Sequence, residues 1–271
     1  MTKTFHEKVF DVSNKVIVLT GSAGRVGSHF SHTLASAGAN LILIDKDKKI
    51  LTIKKEIESK FEVKIFAIIG DITKKQDVKK ITKLIQKEFG HVDVLINNAH
   101  YVPRTHPKRD LPLEEFPLEL WESTIKSNLN GLFLMCQEIG KTMIKQKKGV
   151  IVNISSIYGV TGPDQRIYGK SRLNSPAFYS ATKGAMVNLT KYLASSWKDY
   201  NIRVNTLTLG GVFDKKLHTD KKFVKNYSNK TMIGRMANVD DFDGALLFLT
   251  SDASKYMTGS NLIIDGGWTS W

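Results

Sequence analysis

The stretch Val16-Ile17-Val18-Leu19-Thr20-Gly21-Ser22-Ala23-Gly24-Arg25-Val26-Gly27 decides the fold. Four apolar residues run without a break into a loop holding three glycines, and an amphipathic pattern follows over residues 26–37. A strand, a glycine loop and a helix in that order make a phosphate cradle. The glycines let the backbone turn tightly and approach a pyrophosphate, while the helix amino terminus offers unpaired N–H groups and the positive end of its dipole. Gly21, Ser22, Gly24, Arg25, Val26 and Gly27 are therefore candidate contacts for a dinucleotide.

Outward from this unit, short apolar runs alternate with longer amphipathic ones. Strands are predicted at 16–19, 41–44, 63–69, 94–96, 150–154, 202–207 and 262–264, and helices near 26–37, 48–60, 74–89, 118–147, 176–200 and 239–249. Such alternation predicts parallel strands joined by right-handed crossovers. The expected fold is a single α/β domain over 1–271, a doubly wound Rossmann sheet, mainly parallel and seven-stranded, with helices on both faces. Ligands in such sheets bind beyond the carboxyl ends of the strands. The connections there, 100–117, 157–178 and 212–231, are the expected substrate loops, and all six prolines fall in the first two.

Asp45 closes the second strand 18 residues after Gly27, where a carboxylate can accept hydrogen bonds from both hydroxyls of an adenosine ribose. It would repel a 2′-phosphate, which favours NAD; Arg25 and Lys46 keep NADP open. Asp71 and Ile72, after the third strand, are placed beside the adenine. Asn98 and Ala99, after the fourth, are placed at the cofactor rim.

Tyr179 and Lys183 stand four positions apart on a helical pattern, so their side chains share a face. A free tyrosine has a pKa of about 10, and a neighbouring ammonium stabilises its phenolate. Proton transfer to a carbonyl or from an alcohol then becomes feasible.

Together these residues resemble the short-chain dehydrogenase/reductase family, in its compact single-domain branch, over essentially the whole chain. The resemblance is carried by Thr20-Gly21, Asp71, Asn97-Asn98-Ala99, Asn128 in Asn128-Leu129-Asn130-Gly131, Ser156 in Asn153-Ile154-Ser155-Ser156, Tyr179 with Lys183, Arg203-Val204-Asn205 and Asp265-Gly266-Gly267. It implies that Tyr179 is the general acid or base, that Ser156 binds the substrate oxygen, and that Lys183 holds the nicotinamide ribose. It also implies that Asn128 shapes the helix before the fifth strand and anchors a water leading to Lys183, and that the chain self-associates as a dimer or tetramer.

Four departures accompany it. The glycine loop has the spacing of the family's extended branch. Ser156 and Tyr179 are 23 residues apart, about ten more than usual, so Tyr168, with Arg172 four positions later, rivals Tyr179. His100 replaces a glycine, and without a partner at ligand spacing it suggests a substrate contact and no metal. Leu209-Gly210 replaces a Pro-Gly, and Asp214 stands where a threonine is expected to touch the carboxamide, a task the Val212 backbone could take.

Arg104, Arg109, Arg166 and Arg172 lie in the two proline-bearing connections, and Lys215, Lys216, Lys221, Lys222 and Lys225 crowd the third, a mobile lid in this family. Guanidinium forks suit anions. The substrate expectation is a small, polar, anionic, sugar-like alcohol or ketone, with His100, Arg104, Arg166, Arg172 and Gly210 as candidate contacts. The loop around 163–176 and the ending Asp265-Gly266-Gly267-Trp268 resemble oxidoreductases of flagellin and surface-glycan sugar modification. A 3-oxoacyl-carrier-protein reductase and a non-catalytic dinucleotide sensor are the alternatives.

The net charge of +14 comes from 40 basic residues of which only seven are arginine, with the lysines spread over helices; this reads as a solvated surface and not as a nucleic-acid face. One cysteine, Cys136, excludes an internal disulfide and fits a reducing compartment. No apolar run approaches the ~20 residues of a membrane span, so the expected location is the cytoplasm.

Overall fold

The computed structural model describes residues 4–103, 105–109, 111–170 and 174–271. Seven strands, β1 (Val16–Thr20), β2 (Asn40–Asp45), β3 (Ile65–Ile69), β4 (Val94–Asn97), β5 (Gly149–Ser156), β6 (Ile202–Leu209) and β7 (Asn261–Ile264), form one sheet in the order β3-β2-β1-β4-β5-β6-β7. Every pairing is parallel. A short α1 (Phe5–Val9) precedes the sheet, and its crossovers carry α2 (Arg25–Ser36), α3 (Ile50–Glu58), α4 (Lys75–Phe89), α5 (Leu118–Ile125), α6 (Gly131–Gln146), α7 (Ala177–Ser196), α8 (Lys221–Ser228) and α9 (Asp243–Thr250).

Strand residues alternate between two cores, as the two-residue period of a pleated sheet requires. Ile17 and Leu19 of β1 pack with Phe30 and Leu34 of α2, Ile53 and Ile57 of α3 and Leu246 and Leu249 of α9. Val16 and Val18 turn the other way, toward Ile81 and Ile85 of α4, Ile139 of α6 and Met186 of α7. The chain leaves β1 toward β2 on one side and reaches β4 on the other. This reversal opens a crevice at the carboxyl ends of β1 and β4.

Two elements differ from the sequence expectation. The helix expected over 118–147 is interrupted by a π turn at Lys126–Asn130. There the buried Asn128 carboxamide accepts from the Tyr101 N–H (2.7 Å) and donates to the Tyr101 carbonyl (3.1 Å), so the helix widens where it pins the loop after β4. The connection at 212–231 contains α8. Asp220 caps that helix by accepting from the N–H groups of Lys222 (2.7 Å) and Phe223 (3.3 Å), and Phe223 and Tyr227, one turn apart, are buried.

The β6 end of the sheet is held by Arg203. Its guanidinium donates to the Ser254 hydroxyl (2.9 Å) and to the carbonyls of Ser251 (3.0 Å), Leu249 (3.4 Å) and Met257 (3.4 Å), tying the end of α9 to β6. Replacing Arg203 with leucine strands these acceptors. The expected loss is about 2–4 kcal/mol of unfolding free energy in urea titration, because charged hydrogen bonds to partly buried acceptors go unreplaced.

Candidate active site

The cradle at the crevice is built by close backbone approach. Gly21 has φ +69°, and a Cβ there would lie 2.6 Å from the Ala99 Cα; one on Gly27 would lie 2.1 Å from the Gly21 carbonyl oxygen. The Thr20 hydroxyl accepts from the N–H groups of Asn98 and Ala99 (both 3.1 Å), and the Asn98 carboxamide donates back to the Thr20 (3.0 Å) and Gly21 (3.1 Å) carbonyls. Asn98 therefore shapes the loop as well as lining the crevice. Ser22 is a correction to the sequence expectation: its N–H goes to the Ile44 carbonyl and its hydroxyl to the Leu19 carbonyl, so its side chain faces inward. Gly24 begins α2 with no side-chain cap, which leaves the first N–H groups of α2 to meet an anion. The cradle fits a dinucleotide pyrophosphate.

Beside it lies a cleft of about 100 Å³ lined by Gly21, Asp45, Asp71, Ile72, Ala99 and Tyr101 among others. Asp45 accepts from the Ala23 N–H (2.9 Å) and the Asp47 N–H (3.0 Å), one bond per oxygen, which leaves a lone pair on each for a ribose hydroxyl. Burial pushes the Asp71 carboxyl up, but the Thr73 N–H and hydroxyl and the charges of Lys74 and Lys46 outweigh it and hold the group below the usual carboxylate range. Lys46 lies over the Tyr101 ring, 5.3 Å from its centre. Arg25 is engaged elsewhere, 3.5 Å from the Asp214 carboxylate at the entrance to the third loop.

A larger cleft of about 400 Å³ opens at the ends of β4, β5 and β6, and Ser156, Tyr179 and Lys183 all line it, with His100 shared between the two clefts. Ser156 ends β5, and its oxygen accepts from the Tyr158 N–H (3.4 Å) while keeping its own proton to donate. Lys183 is fully buried; its ammonium donates to the Ile154 carbonyl (2.8 Å) and lies 6.0 Å from the centre of the Tyr179 ring. Burial alone pulls its pKa down to about 7. The register of α7 is fixed by the Ser155 hydroxyl donating to the Lys183 carbonyl (2.9 Å) and by Gly159, whose Cβ would meet that carbonyl at 2.7 Å. His100 packs edge-on against Tyr179 at 5.0 Å.

Gly210 and Val212 also line this cleft. Val212 bridges to Ala237 through the groups of Gly211 and Phe213, so its own N–H and carbonyl stay outside that pairing. Asn128 acts through Tyr101, as described above, and sets the loop that carries His100.

Several expected substrate contacts are placed otherwise. Arg166 is exposed and forked onto Asp164 (2.8 and 3.0 Å), away from the cleft lining. Lys215, Lys216, Lys221, Lys222 and Lys225 are all exposed: the first two lie in the turn before α8, and the amphipathic α8 buries Phe223 and Tyr227 and turns the other three to water. Arg104 and Arg172 lie outside the described residues. Tyr168 lines the cleft and has its hydroxyl 3.0 Å from that of Tyr158, while its ring stacks on Phe223. The arginine on the cleft wall is Arg109.

The walls that sequence reasoning missed are Tyr158, Phe223, Tyr227 and, behind Tyr227 at 4.3 Å, Trp268. A capping aspartate followed by apolar residues at 223, 224 and 227 was the available signal for half of them.

A phenol, a hydroxyl and a buried amine beside a dinucleotide cradle can together move a proton to or from the oxygen of a carbon that exchanges a hydride. Comparison with known proteins agrees with this class. A family model described as enoyl-(acyl carrier protein) reductase matches residues 21–269. The chain is 32% identical to an NAD-dependent glycerol dehydrogenase of Listeria innocua, over 99% of both chains. It is 31% identical to the post-translational flagellin modification protein A of Campylobacter coli, over 95% of this chain and 99% of that one. It also superimposes on a gluconate 5-dehydrogenase from Burkholderia cenocepacia, solved with NADP and tartrate, with a TM-score of 0.83 and 29% identity over 98% and 99% of the two chains. The chain belongs to the short-chain dehydrogenase/reductase family, in its compact branch, and is an NAD(P)-dependent oxidoreductase of alcohol and carbonyl groups.

The closeness of Gly27 to Gly21 generates a direct test. In Gly27→Ala the added methyl must push the start of α2 off β1, so nicotinamide dinucleotide affinity should fall by about tenfold or more. Calorimetric titration would show it, with a stability loss of about 1–3 kcal/mol beside it.

Proposed function

We propose that this protein interconverts a secondary alcohol and a ketone on a small polyhydroxylated, sugar-like substrate, with NAD preferred to NADP. The observation that carries the reading is the convergence of Ser156, Tyr179 and Lys183 on one cleft, next to the glycine cradle. Bound nicotinamide supplies or takes the hydride. Ser156 donates a hydrogen bond to the substrate oxygen and holds its carbon toward the cradle side of the cleft. Tyr179 gives its proton to that oxygen in reduction and, as phenolate, takes it back in oxidation. A charged Lys183 favours the phenolate and offers further protons to the ribose hydroxyls. Asn128 holds the His100 loop that closes this space.

NAD preference is supported by Asp45, which would face a 2′-phosphate with negative charge, and by Arg25, which spends its charge on Asp214. The relatives named above include sugar and polyol dehydrogenases, which supports a hydroxylated substrate. Aromatic walls support it too, since rings accept the C–H faces of a sugar while phenols meet its hydroxyls. The anionic character expected from the loop arginines now rests on Arg109 alone among the described residues.

Exposed Phe133 on α6 and Tyr192 on α7 support self-association as a dimer or tetramer. Among the described residues no helix is long and apolar enough to cross a membrane. The buried free thiol of Cys136 supports the reducing cytoplasm as the location.

Three measurements test the reading. Tyr179→Phe removes the transferable proton, and kcat should fall by about 10²–10⁴ with dinucleotide affinity retained; an unchanged kcat would overturn the assignment. Wild-type kcat/KM should favour NAD over NADP by about tenfold or more, and Asp45→Ser should narrow that gap, because it removes the repelling charge. The third concerns protons. Lys183 loses its proton near pH 7 in the free protein, and an anionic dinucleotide bound alongside favours the charged amine. Binding between about pH 7 and 8.5 should therefore take up protons, and affinity should weaken as pH rises through that window. Calorimetry in buffers of different ionisation enthalpy measures the uptake, and Lys183→Met should abolish it.

A further inference from the structure

The described part of the loop between β5 and α7 is tied down at several points. Gln165 clasps Ser175, donating to its carbonyl (2.7 Å) and accepting from its N–H (3.3 Å), so these two described residues hold each other in place. Three ties bind it to α8 and the turn beyond: Lys230 to the Asp164 carboxylate (2.8 Å), Asn226 to the Ile167 carbonyl (3.2 Å), and Phe223 stacked on Tyr168 at 5.4 Å with 11° between planes. Each tie comes from a different chemistry, and together they fix the Tyr168 hydroxyl 3.0 Å from that of Tyr158.

Tyr158 lies two residues beyond Ser156, and its ring centre is 6.3 Å from that of Tyr179. The paired phenols thus sit within a few bond lengths of the reacting centre. When one phenol donates to the other, the pair retains one O–H donor and several acceptor lone pairs. Burial holds both phenols protonated at working pH, with Tyr168 pushed up to about 12. Two more polar groups belong to the same wall: the Ser175 hydroxyl, which neighbours the Tyr168 phenol, and the Asn174 carboxamide oxygen, which is buried with no hydrogen-bond partner among the described residues. Ser175 is only 5% exposed. A buried polar atom without a partner costs about 1–3 kcal/mol, which a ligand hydroxyl or a small inward shift on binding recovers.

We infer that Tyr158, Tyr168, Asn174 and Ser175 form a hydroxyl-reading subsite that selects substrates carrying a hydroxyl group close to the reacting carbon, that is, a polyol or its hydroxyketone. A hydroxyl offers both a donor and an acceptor, matching the phenol pair. A hydrocarbon in that place leaves the remaining O–H donor of the phenol pair and the Asn174 carboxamide oxygen without a partner, and a carboxylate leaves acceptors facing acceptors at Asn174. The Tyr168, Asn174 and Ser175 groups come from the part of the loop that lengthens the Ser156 to Tyr179 spacing, so the extra residues have a stated task. The inference rests on the oxidoreductase reading of the same cleft.

The test is a hydroxyl scan. A ketohexose, its mono-deoxy analogues and unsubstituted cyclohexanone are offered with NADH and with NADPH to the wild-type chain and to Tyr168→Phe and Ser175→Ala, and nicotinamide absorbance is followed. Phenylalanine at 168 keeps the ring stack on Phe223, and Ser175→Ala removes a single oxygen, so loss of folding does not mask the result; dinucleotide affinity is measured alongside. The wild type should prefer the ketohexose to at least one deoxy analogue by about 10–100-fold in kcat/KM. Each variant should reduce that ratio several-fold, through KM more than through kcat. An active enzyme whose ketose to deoxyketose ratio is the same in wild type and both variants overturns the subsite and leaves the oxidoreductase reading standing. A wild type that binds the dinucleotide yet turns over no ketone in the scan, and no corresponding polyol in the reverse direction, overturns both.

Discussion

The site depends on one backbone contact, the crossing of the β1–α2 loop over the end of β4. Thr20 and Asn98 exchange hydrogen bonds there through both side chains, and Gly21 lies against Ala99 at a distance no side chain would permit. That contact sets where α2 begins, hence where its unpaired N–H groups point. It also sets where the chain leaves β4 for His100 and Tyr101. Asn128 fixes the far side of the same loop through the Tyr101 backbone, at the cost of regular geometry in its own helix. Cradle and reaction cleft are therefore two sides of one piece of backbone.

Burial does most of the electrostatic work in the cleft. Lys183 is enclosed with a carbonyl and a thioether as its named neighbours, and among the described residues no carboxylate is bonded to it, so desolvation lowers its proton affinity. The enclosure follows from packing: β5 delivers Ile154 and Ser155 against α7, and Gly159 lets the chain turn tightly over the Lys183 carbonyl. A lysine poised near neutrality responds to any charge brought next to it, which a fully solvated ammonium does not.

The substrate side has a different character from the cofactor side. The cofactor side is mostly backbone and small residues, whereas the larger cleft is walled by rings: Tyr158, Tyr168, Tyr179, Phe223 and Tyr227. Stacked and edge-on rings give a wall of fixed shape, because each has few rotatable bonds and several ring neighbours. Asp214, paired with Arg25, ties the loop after β6 to the dinucleotide loop, so that the arginine in the glycine run has a partner in the aspartate that stands where a threonine was expected.

The sheet was legible in the chain because buried parallel strands must be apolar on both faces, and runs such as 16–19, 41–44 and 150–154 have no other soluble use. The strand positions, the glycine cradle and the shared helix face of Tyr179 and Lys183 followed from local spacing, which is a property of sequence. What local spacing could not supply was direction. Arg166 and the lysines of 215–225 are charges in substrate loops by sequence, yet the fold turns them to water, since a cheap hydrated exit was open to each. Phe223 and Tyr227, unremarkable as isolated residues, and Tyr168, which the sequence offered as a rival acid, were turned inward because the meeting of α8 with the β5–α7 loop offered their rings cover from water. Sequence determined which backbone would form; the tertiary structure decided which side chains line the cleft, because burial is settled by neighbours far apart in the chain.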